Sequence, residues 1–549
     1  MIHIAINVMN GECTEKDFKE GITPAEIAGM VPLSFPVLAC RVNNQNKRLD
    51  EPLVEDCTLD LLDLRDNYAN MAYQSTLSFL YIAAVHEVLG KEAHVVIANS
   101  LSKGLYTIVK KGYDEKDVEA ISNKMHQWVK EDIPFEKLTD QEEFEKFFHN
   151  GRNKERMRLL SSSFGEQEAQ LYCFQGQIEM FYLELLPSAG YLTMFELRKY
   201  RNGILLRYPQ QSDPLTIPPY QEQKLLYDAF KEETQWEHLL HIDYAADLNE
   251  SMCTRAKQVI MVCEALHEKK IAEIANDIVE KKKRIILIAG PSSSGKTSFA
   301  ERLCIQLQVL GSVPLYLGTD DYFIDRKDTV KEKDGTYDFE ALSAVDLGLF
   351  EKQMNALLKG ETVDLPKFNF ITGEKEYGSR ITSISPHTPI VIEGIHALDP
   401  LMTTGIPDEE KYRIYISPLT SLNIDSHHRV PTTDARMLRR IVRDYRTRGR
   451  SASQSIMDWP LVRKGEEKWI FPYNDTADVF FNSSLIYELC VLRKYAEPLL
   501  KDIKQNDPAY PEAQRMLEFM RFFVMSDQDM YIANNSILRE FIGGSVLVD

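Results

Sequence analysis

Three hydrophobic rhythms divide the 549-residue chain. In MIHIAINV apolar and polar positions alternate, the period of a strand buried on one face. Asn10-Gly11 behind it is a hairpin signal. Residues 1–65 then read as a strand over Cys13 to Phe18, a helix with Thr23 as N-cap and Pro24 at its first position, a strand and turn in VLACRVNNQNKRL, and a last strand in CTLDLLDL. From 66 to 230 the period lengthens. NMAYQSTLSFLYIAAVHEVLG is predicted to be an apolar-faced helix, and KKGYDEKDVEAISNKMHQWVKEDIPFEK a second one ending near Ile133-Pro134. The stretch from QLYCF to LLRYP is strand-like. Residues 231–282 carry helical spacing and are expected to connect through one or two helices, with Glu280 to Arg284 as a solvated charge run.

After residue 283 the apolar runs become short and β-branched. IILIAG, VPLYLGTDDYF, TPIVIEGIHAL, EKYRIYIS and ADVFFN are separated by helical stretches, the spacing of a doubly wound parallel α/β sheet. Ligands bind such sheets at the carboxyl ends of the strands, so the residues after each strand matter most. Beyond 485 the pattern is helical again, and the chain is expected to end in a Gly-Gly turn and a short apolar strand. The predicted divisions are 1–65, 66–230, 231–282, 283–485 and 486–549.

The chemistry sits in the fourth division. Gly290-Pro-Ser-Ser-Ser-Gly-Lys-Thr297 fits G-x-x-x-x-G-K-[ST] directly after a buried strand. Backbone N–H groups wrap a polyphosphate only where no Cβ blocks the approach, which requires Gly290 and Gly295. The predicted ATP-binding residues are therefore Gly290, Ser292, Ser293, Ser294, Gly295, Lys296, Thr297 and Ser298. Lys296 can reach the outer phosphates and Thr297 can offer a hydroxyl to Mg²⁺. Two acids follow strand ends, Asp320 and Glu393; one is needed near Mg²⁺ and one to take a proton from an attacking hydroxyl. Arg436, Arg439, Arg440 and Arg443 are spaced to share a helix face, and Arg446, Arg448 and Arg450 follow. Guanidinium groups suit the charge of a transferring phosphoryl group.

Composition narrows this. A net charge of −19 argues against broad binding to nucleic acid or anionic membranes, and makes the arginine segment a local exception. Eight scattered cysteines without a C-x-x-C fit reduced thiols and no structural zinc. The amino terminus lacks the pattern of a signal peptide and no segment is apolar for long enough to span a membrane, so a cytoplasmic protein is expected.

GPSSSGKTSFAERL, TDDYF, TYDFEAL, LPKFNF, IVIEGIHAL, DARMLRRIVRDYRTRGR and FPYNDTADVFFN occur in the order and spacing of the uridine kinase/phosphoribulokinase family. The resemblance implies an α/β P-loop kinase that uses ATP and Mg²⁺ to phosphorylate the 5′-hydroxyl of a nucleoside. By position it makes Asp320 the general base and a neighbour of Mg²⁺, and Thr297 and Glu393 further metal residues. Asp338 would hold the ribose hydroxyls. Arg443 and Arg448 would face phosphates, Arg440 and Arg450 the nucleoside, with Phe323 and Phe368 beside it. Departures accompany the match. The family's tyrosine and histidine that read the pyrimidine edge correspond here to Phe368 and Gly373, and a lid glutamine to Asp458. These put pyrimidine specificity in question. Two alternatives stay open: a kinase for another small hydroxyl compound, and an RNA-sensing regulatory NTPase. Family members form homo-oligomers, which the added domains would oppose.

The first two divisions resemble parts of threonyl-tRNA synthetase. Residues 1–65 are similar to its β-grasp TGS domain, and DEKDVEAISNKMHQWVKEDIPFEK to the α+β second additional domain. That likeness implies RNA as a partner of this half. In the family an H-x-x-x-H pair on the first helix and a later Cys and His form the editing site. Here Gln74 and Ser78 replace the pair, and LLPSAGY carries neither. His86 is expected to be structural, and no metal site or editing hydrolysis is expected.

Overall fold

The computed structural model describes residues 1–9, 11, 13–140, 142–143, 146–147, 154–162, 170–328, 341–369 and 372–548. Ile2–Val8 pairs antiparallel with Thr14–Phe18 and parallel with Cys57–Asp63. Val37–Val42 pairs antiparallel with Cys57–Asp63 and with the edge strand Gln45–Lys47. This mixed sheet with one helix across it is a β-grasp fold. Its alternation is literal: Ile2, Ile4 and Ile6 are all buried. Thr23 caps the helix as the sequence predicts, its hydroxyl accepting from the Glu26 N–H at 3.3 Å while the Glu26 carboxylate accepts from the Thr23 N–H at 2.9 Å. Asn10, half of the predicted hairpin signal, lies outside the described residues.

The helix Asn67–Leu89 differs from its predicted form. From Thr76 to Val85 every residue is buried, so it is a central helix rather than one with a single apolar face. It lies among the β-grasp sheet, the helix Glu115–Lys130 and strands of both small sheets of this half. The sheet Glu196–Tyr200, Gly203–Arg207, Gly104–Val109, Val95–Leu101 includes a hairpin the sequence pattern did not reveal. Its turn is Ser102-Lys103, both at positive φ, without the glycine or asparagine that marks such turns.

The connecting region holds three helices, Lys224–Leu240, Ala245–Thr254 and Ala256–Glu280, rather than one or two. A five-stranded sheet follows, in the order Leu315–Gly318, Ile390–Glu393, Ile285–Ala289, Lys411–Ser417, Val479–Asn482, every pair parallel. Both faces are covered. Ile286 and Ile288 enter a core with Phe299 and Leu303, while Ile285, Leu287 and Ala289 enter another with Phe350 and Met354. This two-sided burial is why the strand reads as a continuous apolar run.

Two regions tie the halves together: Asn44 donates to the Gln505 and Asp507 carbonyls at 2.7 and 3.0 Å, and a second segment joins them more extensively. After Lys411–Ser417 the chain runs across to the synthetase-like half. There the Ile97 N–H donates to the Ser426 carbonyl and the Asn423 amide to the Ile97 carbonyl, both at 2.9 Å. Buried Arg156 reaches Glu179 at 2.8 Å, Asp425 at 3.3 Å and the His427 ring at 2.8 Å. Helices Glu488–Lys501 and Tyr510–Met520 complete the core on one face of this parallel sheet. The expected terminal strand is absent: past Gly543 the chain is irregular, and the Val546 N–H returns to the Asn534 carbonyl instead of a sheet edge.

Candidate active site

The loop between Ile285–Ala289 and the helix Lys296–Val309 is shaped by its two glycines. A Cβ at Gly290 would lie 2.0 Å from the Ile416 carbonyl oxygen, and Gly295 sits at φ +82° as the helix N-cap. The outward carbonyls are clamped. Arg436 donates twice to the Ser292 carbonyl, at 3.1 and 3.0 Å, and the Ser483 hydroxyl donates to the Ser294 carbonyl at 2.5 Å. Lys296 bends back to the Pro291 carbonyl at 3.3 Å. A loop whose carbonyls are held on the outside offers its N–H side and the helix N-terminus to an anion.

Asp320 and Asp321 adjoin in sequence and diverge in role. Asp321 is bound by Arg380 at 2.6 Å and accepts the Phe368 N–H at 3.3 Å, anchoring the hairpin of Lys367–Asn369 and Glu374–Glu376. Asp320 has no ion-pair partner among the described residues and opens onto the cleft. The cleft walls raise its pKa, while Lys296 and Arg448 pull it down. Its side chain is exposed, so its carboxylate is reachable from solvent, unlike that of Asp321 on Arg380. Glu393 is enclosed. Burial pushes its carboxyl up to about 7 against Lys296 and a hydrogen bond from Thr297, and one carboxylate oxygen is buried with no hydrogen-bond partner among the described residues. The next residue must be glycine, since a Cβ at Gly394 would lie 1.7 Å from the Thr319 hydroxyl. An orphaned carboxylate oxygen next to a hydroxyl and a second acid is an oxygen donor set that fits Mg²⁺.

The arginines do not act as one face. Arg436 and Arg439 are fully buried, Arg436 on Glu466 and Arg439 on Glu488 and the Ser483 carbonyl, where they brace the phosphate loop instead of facing phosphate. The helix Thr432–Arg448 lies between other elements, so part of its basic stripe meets protein. Arg440 reaches the Ser292 hydroxyl at 3.1 Å. Arg440, Arg443 and Arg448 gather around buried Asp444, at 3.4, 2.8 and 3.6 Å. Partial enclosure among protein atoms lowers the pKa of the otherwise exposed Arg448, and Arg443, Arg440 and Arg450 lower it further against Asp444. Arg450 turns to Asp458, the residue in place of the expected glutamine.

Past Asp321, Phe323 and Phe368 pack edge to face at 5.7 Å, both largely buried. Gly373, at φ +75°, leaves its side-chain space to Arg326, whose Cβ would be 2.8 Å from an added Cβ. Asp338 lies outside the described residues. His86 is structural, hydrogen-bonded to Gln177 and the Ala93 carbonyl.

Sequence reasoning missed the tail. Ile537 stands against Gly295, where a Cβ would meet it at 2.4 Å, and the Ser298 hydroxyl donates to Glu540 at 2.8 Å. Arg446 holds the Glu540 and Phe541 carbonyls at 2.7 and 3.2 Å. No local motif announces this contact, because it joins residues 242 positions apart.

Residues 285–486 match the family model described as Phosphoribulokinase / Uridine kinase family. A uridine kinase of Ligilactobacillus salivarius is 31% identical over 203 residues, covering 36% of this chain and 85% of that protein. One of Macrococcus caseolyticus is 30% identical over 202 residues, covering 36% and 87%. A threonine–tRNA ligase of Thermotoga petrophila is 31% identical over 188 residues, 33% of this chain; this chain spans only 29% of the ligase. Among the described residues no helix is long and apolar enough to cross a membrane.

Proposed function

The chain belongs to the phosphoribulokinase/uridine kinase family, and we propose that it transfers the γ-phosphoryl group of ATP to the 5′-hydroxyl of a nucleoside. The observation that carries this reading is Asp320: of two adjacent acids at one strand end, it alone lacks an ion pair, and it opens onto the cleft shared with Lys296. A pure nucleotide switch needs no such base. The domain divisions given above, and the residue roles that follow, are part of the same proposal.

The acceptor hydroxyl gives its proton to the Asp320 carboxylate as its oxygen bonds to the γ-phosphorus. The bond to the bridging oxygen breaks and ADP leaves. Lys296 and the first turn of its helix stabilise the charge on the phosphate oxygens. Arg443 and Arg448, crowded at Asp444, supply positive charge as the lid closes and excludes water. Mg²⁺ supplies charge neutralisation of the triphosphate when bound; Thr297, Asp320 and Glu393 would hold it.

A second reading, a kinase for another small hydroxyl compound, is favoured by Arg326. It fills the place where the family resemblance puts a base-reading side chain. One assay separates the two. The purified chain is incubated with MgATP and a panel of nucleosides and sugars, following ADP and phosphorylated products. A nucleoside monophosphate is expected; product from sugars alone overturns the nucleoside assignment.

A further inference from the structure

Two peptide planes of the phosphate loop are held by residues outside its motif. Arg436 donates through Nε and Nη2 to the Ser292 carbonyl, at 3.1 and 3.0 Å, and the Ser483 hydroxyl donates to the Ser294 carbonyl at 2.5 Å. In a trans peptide the carbonyl of one residue and the N–H of the next point in opposite directions. Holding these two carbonyls outward therefore turns the N–H groups of Ser293 and Gly295 inward. Among the described residues both of those N–H groups donate to nothing. The plane between them is held more loosely: Arg439 reaches the Ser293 carbonyl at 3.4 Å, and the Ser294 N–H turns to the Pro291 carbonyl at 3.3 Å.

The loop does not keep this shape unaided. Ser293 sits at φ +61°, in the left-handed region that a side chain disfavours. Its hydroxyl is buried without a hydrogen-bond partner among the described residues, so its own side chain does not hold the conformation. Such a residue persists where its surroundings over-determine it, and here the carbonyls on either side of it are clamped. The clamps are themselves anchored. Glu466 takes Arg436 through Nη1 and Nη2. Ser483, fully buried, donates its N–H to the Ser417 carbonyl at 3.1 Å, and its own carbonyl accepts from Arg439 at 2.7 Å. Ser417 ends the strand that pairs with Ile285–Ala289, so this anchor belongs to the sheet beneath the loop.

We propose that Ser483, assisted by Arg436, is a positioning residue for the phosphates of the bound nucleotide. Its hydroxyl is buried and spent on the Ser294 carbonyl; it acts by aiming the Gly295 N–H that receives a phosphate oxygen. This role rests on the reading of the loop as an ATP site, and neither residue belongs to the G-x-x-x-x-G-K-[ST] motif.

Titration calorimetry of the full chain with MgADP tests it, at a temperature where circular dichroism shows each variant folded. Ser483→Ala is expected to raise the Kd by about three- to tenfold, the worth of one hydrogen bond. Ser484→Ala, which removes the neighbouring hydroxyl from the same segment, is expected to keep the wild-type Kd. A hydroxyl that only supports the fold would change the melting temperature and not this affinity. Arg436→Lys is the second test: lysine keeps a cation beside Glu466 but loses the forked donors to the Ser292 carbonyl, and a similar rise in Kd is expected. A wild-type Kd in Ser483→Ala or in Arg436→Lys, or an equal loss in Ser484→Ala, overturns the proposal. ADP binding needs no acceptor, so these outcomes leave the nucleoside assignment standing, and a panel that yields no nucleoside monophosphate leaves the positioning role standing.

Discussion

The Ser298 hydroxyl donates a 2.8 Å hydrogen bond to the carboxylate of Glu540, linking the turn after the phosphate loop to the end of the chain. Glu540 also helps to raise the Glu393 carboxyl, so its charge is felt within the site. A carboxylate this close opposes a triphosphate. Removing one such repulsion is worth about 1 kcal/mol, or roughly a fivefold change in binding. Glu540→Gln is expected to lower the KM for ATP by about that factor and leave kcat nearly unchanged. Steady-state kinetics at varied ATP checks this; an unaltered KM would mean the tail stands clear of the nucleotide.

The adjacent acids predict opposite phenotypes. Asp320→Asn removes the proposed base and is expected to lower kcat by about 10²–10⁴-fold with little loss of stability. Asp321→Asn breaks the contact with Arg380 and frees the hairpin that carries Phe368. Its expected effect is a raised acceptor KM and a lower melting temperature. Kinetics and thermal unfolding of both variants test the division of roles; equal loss of kcat in the two would refute it.

The kinase sheet and its phosphate loop were legible because their signals are local. A β-branched run buried on both faces and two glycines with specific steric duties are written within a few residues of each other. The same holds for Thr23 and Pro24 in the first domain. The hairpin across Ser102-Lys103 was illegible because its turn lacks the usual residues. The docking of Ile537 and Glu540 was illegible because only the folded chain brings them to Gly295 and Ser298. The arginine stripe misled for a related reason. Helical periodicity identifies a shared face, but not that Glu466 and Glu488, 30 and 49 residues downstream of Arg436 and Arg439, meet part of it.

That division of the arginines can be measured. Arg436 and Arg439 are buried on carboxylates; Glu466 keeps Arg463 at 2.9 Å, whereas among the described residues Arg439 is the cation paired with Glu488, so removing Arg439 strands a buried charge at a cost of about 3–5 kcal/mol. Arg439→Met is expected to lower the melting temperature strongly. Arg448 has its side chain 53% exposed and its contact to Asp444 is long, 3.6 Å. Arg448→Met is expected to keep the melting temperature and lose about 10²-fold or more in kcat. The reverse pattern would place Arg448 in the scaffold.

Restoring a base-reading side chain at Gly373 is expected to fail. The position has φ +75°, and Arg326 fills the space where a Cβ would go. Gly373→His is expected to destabilise by about 1–3 kcal/mol without creating pyrimidine selectivity. Denaturant unfolding and product ratios from paired pyrimidine and purine nucleosides check both parts. A stable variant that gains pyrimidine preference would show that Arg326 yields its place.

A pH-dependent contact is expected where the connecting helices meet the kinase sheet. Glu237 of Lys224–Leu240 is buried and hydrogen-bonded to the Ser421 hydroxyl at 2.5 Å; burial pushes its carboxyl from 4.5 up to about 8. Between those values the folded chain holds a proton that the unfolded chain has released. The unfolded state therefore binds fewer protons in this window, and stability falls as pH rises from 4.5 to 8. The slope from this group is at most about 1.4 kcal/mol per pH unit. Glu237→Gln keeps the shape and cannot ionise. Its unfolding free energy is expected to be flatter across that window than that of the wild type and higher near pH 8. Urea unfolding at several pH values measures both curves, and parallel curves would mean that Glu237 is ionised in the folded protein.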